Sequence, residues 1–97
     1  MQVRRSGTDT SSSCVSGLVD IVATNVKDAE RAFVQAVSGA GNEKNYWLSK
    51  IDDRTWGITG VDLGSDVGFG LVNLRLFPNN CKGRNNDCPF ISIYVFP

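Results

Sequence analysis

The chain contains no histidine. That removes the commonest general base, the histidine-dependent triads and any zinc site that needs imidazole. It also lacks an excess of either charge, since 10 lysines and arginines balance 10 aspartates and glutamates. General nucleic-acid binders carry a basic excess, so nucleic acid is not an expected partner. No apolar run approaches the length needed to span a bilayer, and no membrane partner is expected. There is no Asn-x-Ser/Thr sequon to mark the compartment, and the first residues lack the apolar core of a signal peptide. Arg4 and Arg5 are not followed by the apolar stretch of a twin-arginine signal. Lysine and glutamate are scarce while Asn, Ser, Gly and Thr are plentiful, a bias that leans toward an extracytoplasmic location without fixing one.

Cofactor and metal signatures are missing too. Gly57, Gly60, Gly64, Gly68 and Gly70 form neither a G-x-G-x-x-G fingerprint nor a P-loop. Asp52, Asp53, Asp62 and Asp66 do not match a calcium loop, and all four fall in expected turns, where Asp is favoured for backbone reasons. No catalytic set, cofactor or metal site is therefore expected.

What is present is a chain of 97 residues, enough for one domain with a modest core. Its most informative stretch runs from residue 45 to 77 and holds both tryptophans. Residues 46–51 and 55–61 are rich in aromatic and β-branched side chains, with two aspartates between them, which reads as a β-hairpin. With Asp52 and Asp53 as the turn, Trp47 faces Ile58, and strand alternation places Trp47, Ile51, Trp56 and Ile58 on one face. Tyr46 and Lys50 fall on the other. Both indoles are thus expected to pack in a shared core.

Residues 1–17 are polar and aperiodic and read as a flexible N-terminal arm, with residues 18–97 as a single domain. Residues 18–23 alternate as a half-buried strand. Beyond them, Val26, Ala29, Phe33, Ala36 and Val37 recur at helical spacing, with Asn25 as N-cap and Gly39 as stop. Residues 67–77 form a strand whose alternation changes phase near Leu71–Val72, which suggests a bulge. Residues 90–96 form a last strand, apolar on both faces. The expected fold is α+β: a mainly antiparallel, four- to five-stranded sheet with one helix packed on one face, in the order β-α-β-β-β-β.

Between residues 78 and 89 lies an Asn-rich loop bounded by prolines. Cys81 and Cys88 are candidates for a disulfide closing it, worth roughly 2–3 kcal/mol on the chain-entropy estimate. Their spacing is too wide for a zinc knuckle. Cys14 is left over. Lys82 and Arg84, with Asn80 and Asn85, are the best candidates for surface recognition, joined by Tyr46 and Lys50 on the exposed face of the hairpin.

These features point to a small non-catalytic binding protein of inhibitor, immunity or accessory type. It would engage another macromolecule, a protein, through the basic Asn-rich loop and the sheet surface, with homodimerisation through the last strand as a further option. Two other readings stand beside it. One is a secreted toxin or effector with histidine-free hydrolytic activity. The other is a small-ligand carrier with a pocket between helix and sheet.

Overall fold

A computed structural model describes residues 1–26, 29–78 and 89–97. The elements run β1 (Gln2–Arg5), β2 (Cys14–Val15), β3 (Val19–Ala23), β4 (Ala32–Ser38), β5 (Glu43–Trp47), β6 (Ser49–Asp52), β7 (Thr55–Val61), α1 (Leu63–Asp66), β8 (Gly70–Pro78) and β9 (Phe90–Val95). They form a four-stranded sheet, ordered β1-β3-β7-β6, and a five-stranded sheet, ordered β2-β9-β8-β4-β5. Pairing is antiparallel throughout except between β2 and β9. The class is α+β with one short helix, and no helix among the described residues is long and apolar enough to cross a membrane.

The two sheets close over one core. Val19, Ile21, Ala23 and Trp56 from the first sheet join Val34, Ala36, Val72, Leu74 and Ile93 from the second in a single buried cluster. Each strand supplies alternate residues, as a sheet buried on one face requires. The chain crosses from sheet to sheet at both flanks. On one side, β5 runs into β6 through Leu48, whose side chain is buried and whose N–H donates to the Ala32 carbonyl at 2.9 Å. On the other, Ser11 bridges to Arg4 of β1, and three residues later β2 pairs with β9. α1 lies in the connection from β7 to β8, and Leu63 and Val67 carry it into the core.

Segment 26–38 corrects the expected helix. Residues 32–38 form β4, flanked by β5 and β8. The segment carries two periodicities, and pairing on both sides selects the shorter. Ala32, Val34 and Ala36 point inward, while Phe33, Gln35 and Val37 point outward. Asn25 is no helix cap, because its φ of 59° puts it in the left-handed region that Asn tolerates. The expected helix stop is instead a hairpin turn, in which the Ser38 N–H donates to the Asn42 carbonyl and the Gly41 N–H to the Ser38 carbonyl. The one helix among the described residues is the single turn α1, begun by Asp62, whose carboxylate accepts from the Ser65 N–H at 3.1 Å.

Four further expectations change. The turn falls one residue later than read, because Asp52 pairs with Thr55 and a bulge at Ile51 absorbs the shift. Trp47 does not face Ile58. It pairs with Phe33 in the other sheet and is 59% exposed, whereas Trp56 is 6% exposed. β8 shows no bulge, since its register with β4 and β9 is continuous. The change of phase at Leu71–Val72 reflects where the strand begins: Gly68 and Gly70 have φ of 110° and 99°, so the chain turns into β8 there instead of extending through. The expected arm is also placed in the sheets, with β1 paired to β3 and Val3 buried.

The last strand is not an edge along its whole length. β8 covers one side of β9, and β2 covers Tyr94 and Val95 on the other. Only the stretch from Phe90 to Ile93 has no strand on that side among the described residues.

The strand assignment of β4 separates two neighbouring valines that the helical reading would bury alike. Val34→Ala is expected to lower unfolding free energy by about 2 kcal/mol, the scale of a buried valine side chain. Val37→Ala, on the outer face, is expected to cost under about 1 kcal/mol. Urea denaturation of both variants checks this, and equal losses would restore the helix.

Candidate functional site

The outer face of the five-stranded sheet carries an unusual share of aromatic side chains. Cross-strand register builds two rows on it. Trp47, Phe33 and Phe77 stand side by side across β5, β4 and β8. One rung along come Asn45, Gln35, Arg75 and Phe90, across β5, β4, β8 and β9. These positions alternate with the buried Val34, Ala36, Leu74 and Leu76. The sequence puts aromatics on this face because the opposite face of each strand already supplies the core.

The rings contact one another in a definite way. Phe33 and Phe77 have centroids 5.0 Å apart and planes 13° from parallel. Coplanar phenyl rings at that distance would collide, so the two are offset-stacked, face toward face. Trp47 lies on the other side of Phe33, 5.1 Å away and tilted by 52°. Two guanidinium groups complete the patch: Arg31 sits over the Trp47 ring at 5.9 Å and Arg75 over the Phe90 ring at 5.2 Å. No carboxylate occupies either row, and the first enters one rung further on, where Glu43 pairs with Val37. A second, smaller apolar area lies toward the other end of β8 and β9. There Leu71 pairs with Tyr94, and the Tyr94 and Phe96 rings stack at 6.4 Å.

Of the residues nominated for recognition, Asn80, Lys82, Arg84 and Asn85 lie outside the described residues, as do Cys81 and Cys88. Cys14 is an exposed free thiol beside Tyr94. Lys50 is exposed on β6, opposite Trp56. Tyr46 is corrected from surface to core, being 6% exposed and paired with Val34. Its hydroxyl donates to Asp66 Oδ2 at 2.6 Å, and Lys44 Nζ lies 3.4 Å from Asp66 Oδ1. This ties α1 to β5. Burial, then the hydrogen bond and charge of Asp66 and the charge of Asp62, hold the phenol well above its ordinary pKa of 10.0. At the hairpin, Asp52 accepts from the Arg54 N–H at 3.0 Å, which holds its carboxyl below the usual value.

Sequence reasoning missed Phe33, Phe77 and Trp47 as surface groups. The signal was there in part: residues 32–38 alternate as well as they wind, and Phe33 then falls opposite Val34.

Removing the Tyr46 hydroxyl tests the α1 clamp. Tyr46→Phe is expected to lose about 1–2 kcal/mol of stability, for one hydrogen bond to a charged acceptor. The phenol's raised pKa means the folded state holds the proton more tightly. The stability due to it is complete below pH 10 and falls as pH rises further. A Tyr46→Phe variant with an unchanged alkaline stability profile would show that the clamp contributes nothing. No family model, curated protein or solved structure matches the chain.

Proposed function

We propose that the chain is a non-catalytic binding module that engages a protein partner through the outer face of its five-stranded sheet. One observation carries this reading: an outward-facing aromatic row, half-buried at Phe33 and Phe77 and exposed at Trp47, with guanidinium groups beside it. Phe33 is flanked by Trp47 and Phe77, the Trp47 ring carries Arg31, and the Phe90 ring carries Arg75. Rings packed side by side with guanidinium groups over two of them suit side chains from a protein surface. Aromatic residues and arginine are also the types that dominate the energetics of protein interfaces. The Arg31 guanidinium over the exposed Trp47 ring favours a partner that surrounds apolar side chains with Asp or Glu. The basic Asn-rich loop follows β8 and precedes β9 in sequence, and Lys82 and Arg84 are proposed to add to the same charge match.

Selection of peptides displayed on phage against the wild-type chain, counter-selected on Trp47→Ser, tests this directly. Sequences combining aromatic or aliphatic residues with Asp and Glu are expected to enrich. Trp47→Ser is expected to weaken their binding by at least about tenfold, as for an interface anchor. Arg31→Glu should do so comparably, and Lys82→Ala with Arg84→Ala should do so by a smaller factor. Enrichment that survives Trp47→Ser would remove the face from consideration. Retardation of the chain in gels containing soluble polysaccharide would point to a glycan instead. Dimerisation abolished by Trp47→Ser would assign the face to a second copy.

A further inference from the structure

The outer face of the four-stranded sheet carries an independent feature, a hollow of about 620 Å³. Its floor belongs to β1, β3, β7 and β6, and residues 7–9 form part of its wall. Arg4 and Asp20 both line it, and they are direct cross-strand partners. Opposite charges so placed commonly attract one another into contact. Here they form no ion pair with each other. Arg4 Nε and Nη2 instead donate to Gln2 Oε1 at 3.3 and 2.8 Å. Asp20 Oδ1 accepts from the Ser6 hydroxyl at 2.7 Å and the Gly60 N–H at 3.1 Å. Each charge is held by neutral groups, and the pair stays open toward the hollow. Asp9 adds a second carboxylate to the lining, and Val22 and Ile51 add apolar surface. Gly57 helps keep the floor low, because a Cβ there would lie 3.0 Å from Ile51 Cδ1 and 3.1 Å from the Ile21 carbonyl oxygen.

We propose that this hollow binds a small zwitterion, a free α-amino acid with a large apolar side chain. Its carboxylate would meet Arg4, and its ammonium would meet Asp20 and Asp9. In an α-amino acid these two groups share one carbon, which suits opposite charges on adjacent strands. The side chain then lies along Val22 and Ile51. The volume falls in the range of small-molecule sites, which pair apolar walls with a few orienting polar groups.

The test is an NMR titration of isotope-labelled protein with leucine, phenylalanine and tryptophan, set against their N-acetyl amides, which lack both charges. Saturable shifts at Ile51, Gly57 and Thr59 are expected from the free amino acids and not from the amides. Arg4→Gln and Asp20→Asn should each weaken binding by about tenfold, the loss of one charge-assisted contact. Asp20→Asn keeps the oxygen that accepts from Ser6 and Gly60. If that variant nonetheless fails to fold, Ile51→Trp decides, since Ile51 is exposed and the larger ring would occupy the hollow and abolish the shifts. Trp47→Ser should leave them unchanged, so the result is independent of the opposite sheet. No saturable shift at millimolar amino acid, or equal binding of the amides, would overturn the proposal.

Discussion

Leu48 is the hinge of the architecture. Tyr46 points inward, Trp47 outward and Leu48 inward again, and at Leu48 the chain leaves one sheet for the other. The Leu48 N–H bond to the Ala32 carbonyl fixes that crossing against β4. Once it is fixed, Trp47 must lie outside one sheet, while Trp56 on β7 lies inside the other. The two indoles are only nine positions apart in sequence, yet they serve opposite surfaces. A continuous strand through residue 48 would have held both in one sheet and left the aromatic outer face without its tryptophan.

The inner faces explain why the outer ones are free to vary. Valine, alanine, leucine and isoleucine supply most of the core, with Trp56 and Tyr46 as its large members. Tyr46 is tolerated because its hydroxyl reaches Asp66. That same bond holds α1 in the passage between the sheets. With the core filled from alternate positions, the other positions of β4, β5, β8 and β9 bear no packing duty toward the opposing sheet. Aromatics there stack on one another instead, leaving several large apolar side chains, Trp47, Phe90, Tyr94 and Leu71 among them, 48–59% exposed. Such a concentration on one face of a small domain is the physical basis for reading it as an interaction surface.

The two outer faces differ in chemistry. The five-stranded sheet carries an outward aromatic row, with Arg31 over Trp47 and Arg75 over Phe90. The four-stranded sheet offers a hollow where Arg4 and Asp20 are kept from closing on each other. The core lies between these surfaces. A substitution on one face therefore reaches the other only through the packed interior, which makes the two separable by mutation.

Much of the local structure was legible in the chain. Strands β3, β7 and β9, the existence of a reversal between residues 51 and 55 though not its register, and the α+β, mainly antiparallel class follow from alternation and turn chemistry, which depend on neighbours in sequence. The absence of histidine and of net charge set bounds on chemistry for the same reason. Segment 26–38 was not legible, because Ala, Val and Phe at those spacings satisfy a helix and a strand alike, and only pairing with β5 and β8 separates the two. The side on which each tryptophan lies was likewise settled by tertiary structure. It depends on which strand each pairs with across the fold, and a period of two specifies a face without saying which side of it the rest of the chain will cover.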